Sequence, residues 1–157
     1  MSDDDQSGLV PVGEATVPCG RDAPALARSL VSRWLDGHGD AAMHADARLL
    51  VTELVTNSFL HAEQPDGAPL HVSAAALNGH VRVAVEDHGH GPVRRRAHNP
   101  RTGGFGLQLV EMISTRWGVN HERGTSVWFE LATHRQAALD ETPTRPYLAR
   151  CDTGGGA

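Results

Sequence analysis

Glu53-Leu54-Val55-Thr56-Asn57-Ser58-Phe59-Leu60-His61-Ala62 closes a long amphipathic segment that begins near Met43. Ala47, Leu50, Val51, Leu54 and Val55 recur at i, i+3, i+4, i+7 and i+8. That spacing gathers apolar side chains into one stripe, so a helix is expected over residues 43–61. A polar stripe runs beside it, with Glu53, Asn57 and His61 one helical turn apart. A polar helix face is ordinarily just solvated. Asn57 departs from that reading, being a mediocre helix former set mid-helix among good apolar ones. An amide oxygen is a hard ligand suited to Mg2+, and a carboxylate one turn away can orient or deprotonate a nucleophile.

Outward from this helix the chain divides into short elements. Residues 1–8 read as a flexible acidic tail. Leu9–Val17 is strand-like, with an irregularity at Pro11/Gly13. Pro24 opens a helix behind Asp22 as N-cap; Ala27, Leu30, Val31, Trp34 and Leu35 carry it until Gly37 and Gly39 end it. After the turn Gln64-Pro65-Asp66-Gly67, Leu70–Leu77 and Val81–Glu86 alternate as strands around Asn78-Gly79, a strong two-residue hairpin signal. Residues 87–104 lack periodicity and read as a long loop. A third helix is expected over Phe105–Thr115, then strands near Trp117–His121 and Ser126–Leu131. Residues 133–157 read as a loosely ordered proline- and glycine-containing tail. Hairpin-joined strands with grouped helices imply one α+β domain over residues 9–132: a two-layer sandwich, its sheet antiparallel or mixed, with helices packed on one face.

Bulk properties narrow the function. The 157 residues, 39% hydrophobic, suit one core. No apolar run approaches membrane-spanning length, and the start Met1-Ser2-Asp3-Asp4-Asp5 is acidic where a secretory signal is basic; a cytoplasmic protein without membrane contact is expected. A formal charge of -5 argues against direct nucleic-acid binding. All non-histidine basic residues are arginine. Without lysine, a phosphate-binding Walker A loop and the lysine-centred protein-kinase fold are both excluded. Cys19 and Cys151 lie far apart with no metal or redox spacing and read as incidental thiols.

Two glycine-rich stretches add to the helix. In Val85-Glu86-Asp87-His88-Gly89-His90-Gly91 a strand ends in a carboxylate that could accept from an exocyclic amine such as adenine N6. Gly89 and Gly91 would let the backbone approach a flat ring, although such turns are also common strand connections. In Gly103-Gly104-Phe105-Gly106-Leu107 glycines open a helix, exposing amide N–H groups to phosphate. A dinucleotide-binding reading of that cluster fails, because it follows a loop rather than a strand.

Taken in order, these motifs resemble those of the ATP-binding domain shared by gyrase-type ATPases, histidine kinases and MutL-type proteins (the GHKL type). Residues 53–62 look like its asparagine box, Asp87-His88-Gly89-His90-Gly91 like its DxGxG box, and Gly103-Gly104-Phe105-Gly106-Leu107 like its second glycine box. Gly124-Thr125 looks like the closing threonine motif. The resemblance spans residues 9–132 and is strongest to the small bacterial anti-sigma-factor serine/threonine kinases, which share the ELVTN…HA helix and the Arg116-Trp117-Gly118 step. It implies ATP and Mg2+ as cofactors. Asn57 would hold the metal and Glu53 would act as catalytic base or orienting carboxylate. Asp87, helped by Thr125, would bind adenine; Gly89, Gly91, Gly103, Gly104, Gly106 and Leu107 would shape the nucleotide pocket.

The same resemblance implies a protein serine/threonine kinase that phosphorylates a small anti-sigma-factor antagonist, with a sigma factor as competing partner and homodimerisation as a further expectation. The alternative is a non-catalytic, ATP-dependent module that sequesters a sigma factor or another regulator. Arg94-Arg95-Arg96 and Arg101 read as a solvated run, with phosphate contact as the alternative. His88, His90 and His98 lack a fourth ligand for a metal site. Trp34, Trp117 and Trp128 read as core or helix–sheet packing residues.

Overall fold

The computed structural model describes residues 8–61, 65–87, 105–121 and 124–133. Five strands form one sheet: β1 (Val10–Pro18), β2 (Pro69–Leu77), β3 (His80–Asp87), β4 (Arg116–Asn120) and β5 (Thr125–Ala132). Three helices accompany them: α1 (Ala23–Trp34), α2 (Ala41–His61) and α3 (Phe105–Ile113). The spatial order is β1-β2-β3-β5-β4, and every neighbouring pair is antiparallel. The α+β sandwich expected from the sequence is therefore the observed fold. The readings of residues 1–7 and 134–157 as tails, and of 88–104 as a loop, lie outside the described residues.

Local chemistry explains the elements. Asn78 and Gly79 both take positive φ, 50° and 79°, which is what a tight hairpin joining β2 to β3 needs. The Pro11/Gly13 irregularity is a register shift in the β1–β2 ladder. The Trp34 ring lies over Gly13 so closely that a Cβ there would overlap it. Pro24 stands in the first turn of α1 behind Asp22, but the Asp22 side chain makes no capping bond. Asp40 does cap: its Oδ1 accepts from the Met43 N–H at 2.8 Å, and α2 starts at Ala41, two residues before the expected start at Met43. Helix α3 stops at Ile113, and Ser114 turns its hydroxyl back to the Val110 carbonyl.

One face of the sheet carries the core. Leu70, Val72, Ala74 and Ala76 of β2 align with Val81, Val83 and Val85 of β3 and with Phe129 and Leu131 of β5, and all are buried. Ala47, Leu50, Val51, Leu54 and Val55 of α2 are buried in the same cluster, the five residues of the predicted stripe. Helix α1 lies over β1 and β2, α2 over β3 and β5, and α3 against α2 and β4.

The opposite face departs from expectation at Trp128. Its register partner is Ala84, so it points away from the helices, and the Arg82 guanidinium stacks over its ring at 4.1 Å. Trp34 and Trp117 pack on the core as read; Trp128 does not. Strand alternation decides this, because Phe129 and Val127 take the inward positions on either side. On the same outer face Glu130 accepts from Arg82 at 2.8 Å and lies 3.7 Å from Arg116. Gly118 is required there, since a Cβ would stand 2.8 Å from the Trp128 ring.

Candidate functional site

Beta-sheet register assigns different faces to the two carboxylates that end β3. Glu86 points outward, 3.9 Å from His71 and 3.4 Å from the Ser126 hydroxyl. Asp87 follows the parity of Val81, Val83 and Val85, so it faces the helix layer, with Leu70 opposite it on β2 and Thr125 opposite it on β5. The Thr125 N–H donates to Asp87 Oδ1 at 3.3 Å. The other carboxylate oxygen has no hydrogen-bond partner among the described residues. Gly124 supplies the positive φ, 121°, with which the chain enters β5.

Helix α2 brings Glu53 and Asn57 to the same end of the sheet. Its first turn is beside the β2–β3 hairpin: Met43 and Thr133 both border Gly39, and the Thr133 N–H donates to the Gly79 carbonyl at 2.8 Å. From that level α2 and β3 run in parallel. Met43 to Asn57 spans about 21 Å at helical rise. His80 to Asp87 spans about 24 Å at strand rise. Asn57 therefore stands near the level of Asp87, with Glu53 one turn behind it.

The orientation of α2 about its axis completes the placement. Thr52 Oγ1 accepts from Arg28 at 3.3 Å and marks the flank facing α1. Glu53 and Asn57 lie about 100° and 140° further round the helix at 3.6 residues per turn, on the flank toward α3. Both are half-buried, and among the described residues neither makes a side-chain hydrogen bond or ion pair. Helix α3 completes this side. Ser114 and Thr115 reverse the chain into β4, which runs toward the Asp87 end, so α3 enters from that end with Gly106 in its first turn. Leu107 is half-buried against the core. Of the expected site residues, Glu53, Asn57, Asp87, Gly106, Leu107 and Thr125 thus converge on one end of the helix–sheet interface. Gly89, Gly91, Gly103 and Gly104 lie outside the described residues, as do His88, His90, His98, Arg94-Arg95-Arg96 and Arg101.

Cys19 belongs beside this site, although nothing in its sequence neighbourhood signalled it. It is buried at the same sheet end, where its N–H donates to the Ala68 carbonyl at 2.7 Å and its carbonyl accepts from Gly67 at 2.8 Å. Burial pushes its thiol above the ordinary 9.0, and the Asp66 and Asp87 carboxylates push it further. Cys151 lies outside the described residues. Among the described residues no cluster of three or more His, Cys, Asp or Glu side chains could hold a metal ion. Among them, too, no helix is long and apolar enough to cross a membrane.

The donor set suits a magnesium nucleotide. A carboxylate with one oxygen left over matches an exocyclic amine. The apolar Leu70 beside it matches the edge of a ring. An amide oxygen on the neighbouring helix is a hard ligand of the kind Mg2+ takes alongside phosphate and water. Comparison with known proteins agrees at the level of the domain: the family model described as "Histidine kinase-like ATPase domain" matches residues 21–131. No curated protein matches the chain significantly.

Proposed function

This chain belongs to the histidine kinase-like ATPase domain family, and from that premise we propose that it is an ATP-dependent serine/threonine protein kinase acting on a small anti-sigma-factor antagonist. The observation that carries the reading is the half-buried pair Glu53 and Asn57. The two stand one turn apart on α2, at the level of Asp87, with no described partner of their own.

Bound Mg-ATP supplies the phosphoryl group and the cation; the rest is work for the protein. Asp87, steadied by the Thr125 N–H, accepts from the adenine amine and so prefers adenine to guanine. Asn57 offers its Oδ1 to the metal. Glu53 aligns the acceptor hydroxyl and takes its proton, and Gly106 lets phosphate approach the first turn of α3. Gly89, Gly91, Gly103 and Gly104 would shape the rest of the pocket. Chemistry of this kind depends chiefly on positioning and charge neutralisation. In the same reading the unphosphorylated antagonist and a sigma factor compete for a cytoplasmic, homodimeric kinase, so that phosphorylation exchanges one partner for the other.

Incubation of the pure protein with γ-labelled ATP, Mg2+ and candidate antagonists tests the proposal. Label on a serine or threonine of the antagonist, absent with Glu53→Gln, is the expected result. Label confined to free phosphate, or none released at all, overturns the kinase reading in favour of a slow ATPase or an ATP-dependent binding module.

A further inference from the structure

On the flank of α2 opposite Glu53 and Asn57, a shallow groove of about 560 Å³ runs between the outer surfaces of α1 and α2. Arg28, Arg33 and Arg48 border it, Ser29 and Ser32 line it on α1, and Asp36 is its one carboxylate. Arg28 is tethered by its bond to Thr52, whose hydroxyl donates to the Arg48 carbonyl at 2.7 Å, so two of the three guanidinium side chains spring from one hydrogen-bonded patch. Among the described residues no carboxylate pairs with any of the three. Three unneutralised arginines in one groove of a chain with formal charge -5 make a local surplus that calls for anions.

We propose that the occupant is this chain's own acidic segment, Asp3-Asp4-Asp5. Two observations converge on it. Charge matches, with three successive carboxylates available for three guanidinium groups. Topology brings it near: α1 runs back along β1 until Trp34 covers Gly13, so the Arg33 end of the groove lies over the first half of β1, the strand that the acidic segment precedes. Small side chains at Ser29 and Ser32 let an extended backbone lie close. The contact is a built-in competitor, since any other acidic ligand must displace it. It does not depend on the nucleotide site, which uses the other flank of α2.

Paramagnetic relaxation in the full-length chain tests this. A nitroxide is attached at Ser2→Cys in a Cys151→Ser background, leaving the buried Cys19 in place. At low salt the amides of residues 28–33 and 48–52 should relax several-fold faster than equally exposed amides of β4, such as that of Val119. The excess should vanish with Asp3→Asn/Asp4→Asn/Asp5→Asn, with Arg28→Gln/Arg33→Gln/Arg48→Gln, and in about 1 M salt, where the screening length falls to about 3 Å. A synthetic peptide of residues 1–8 should then bind the aspartate-neutralised chain at least tenfold more tightly than the wild type. Uniform relaxation over the surface, relaxation indifferent to neutralisation, or equal peptide affinity for both chains would each overturn the proposal.

Discussion

The Thr125 N–H donates to Oδ1 of Asp87 at 3.3 Å, so the last carboxylate of β3 is held by the first residue of β5. A main-chain donor is part of the sheet and cannot swing away as a side chain does. It fixes one oxygen of Asp87 and leaves the other without a hydrogen-bond partner among the described residues. The pair sits at the edge of the core, two residues beyond buried Val85 on the same face. In the proposed reading, adenine would be recognised from a strand end rather than a loop, which favours a sharply defined angle of approach.

Asp87→Asn keeps an acceptor for Thr125 but presents an NH2 group to the adenine amine. Loss of a hydrogen bond to a charged acceptor costs about 1.5–3 kcal/mol, or about 10- to 150-fold in affinity. Calorimetric titration should show ATP binding weakened by at least tenfold, with the melting temperature little changed. An unaltered Kd would remove Asp87 from the adenine site.

Glu53→Gln and Asn57→Ala should separate chemistry from metal binding. The first is expected to lower phosphate release or transfer by about 10²–10⁴-fold, the usual range for a lost general base, while ATP affinity stays within about threefold. The second should weaken ATP binding in Mg2+ strongly and in EDTA hardly at all. Alanine is the better helix former, so Asn57→Ala should also melt no lower than the parent. Equal effects with and without the cation would contradict the ligand assignment.

Glu130 is the most enclosed carboxylate among the described residues, with 12% of its side chain exposed between Arg82 and Arg116. Glu130→Ala would take this carboxylate away from Arg82, itself 15% exposed. Breaking a pair this buried costs about 3 kcal/mol, a large share of a small domain's stability. Urea denaturation should register the loss, and Arg82→Met with Glu130→Leu should recover most of it. A single mutant as stable as the parent would mean the pair is effectively solvated.

Cys19 gives the domain an alkaline liability. Its folded pKa is raised, so the protonated thiol's contribution is complete below the ordinary value of 9.0. As pH climbs past 9.0 the unfolded chain loses this proton first, and the contribution declines toward the folded pKa. Stability of the parent should therefore fall faster than that of Cys19→Ala between pH 9 and 10.5. Because the thiolate is the nucleophile, iodoacetamide should modify native Cys19 at least tenfold more slowly than unfolded Cys19.

The elements readable from sequence are those with local causes. Asn78-Gly79 dictates a hairpin by its own backbone preferences, and the α2 stripe is a matter of spacing within one helix. Asn57 stood out because its poor fit to a helix interior could be judged against its immediate neighbours. What stayed hidden depends on register between distant strands. Nothing near Trp128 says which face it takes; the pairing of β5 with β3 settles that, and with it the Arg82–Trp128–Glu130 cluster. Cys19 has no local pattern either. Its place beside Asp87 arises because the β1–α1 and α2–β2 turns meet at Cys19, Gly67 and Ala68. Asp40 could have been read as an N-cap, three residues ahead of Met43, but the apolar periodicity starts later and drew the helix boundary with it.

A crystal structure with a non-hydrolysable ATP analogue and Mg2+ bears most directly on the central claim that Asn57 and Asp87 serve one pocket. Adenine N6 should lie within about 3 Å of the Asp87 oxygen not used by Thr125. The cation should be held by Asn57 Oδ1 at about 2.1 Å. A nucleotide bound elsewhere, or bound between α2 and the sheet with its cation away from Asn57, would contradict the account.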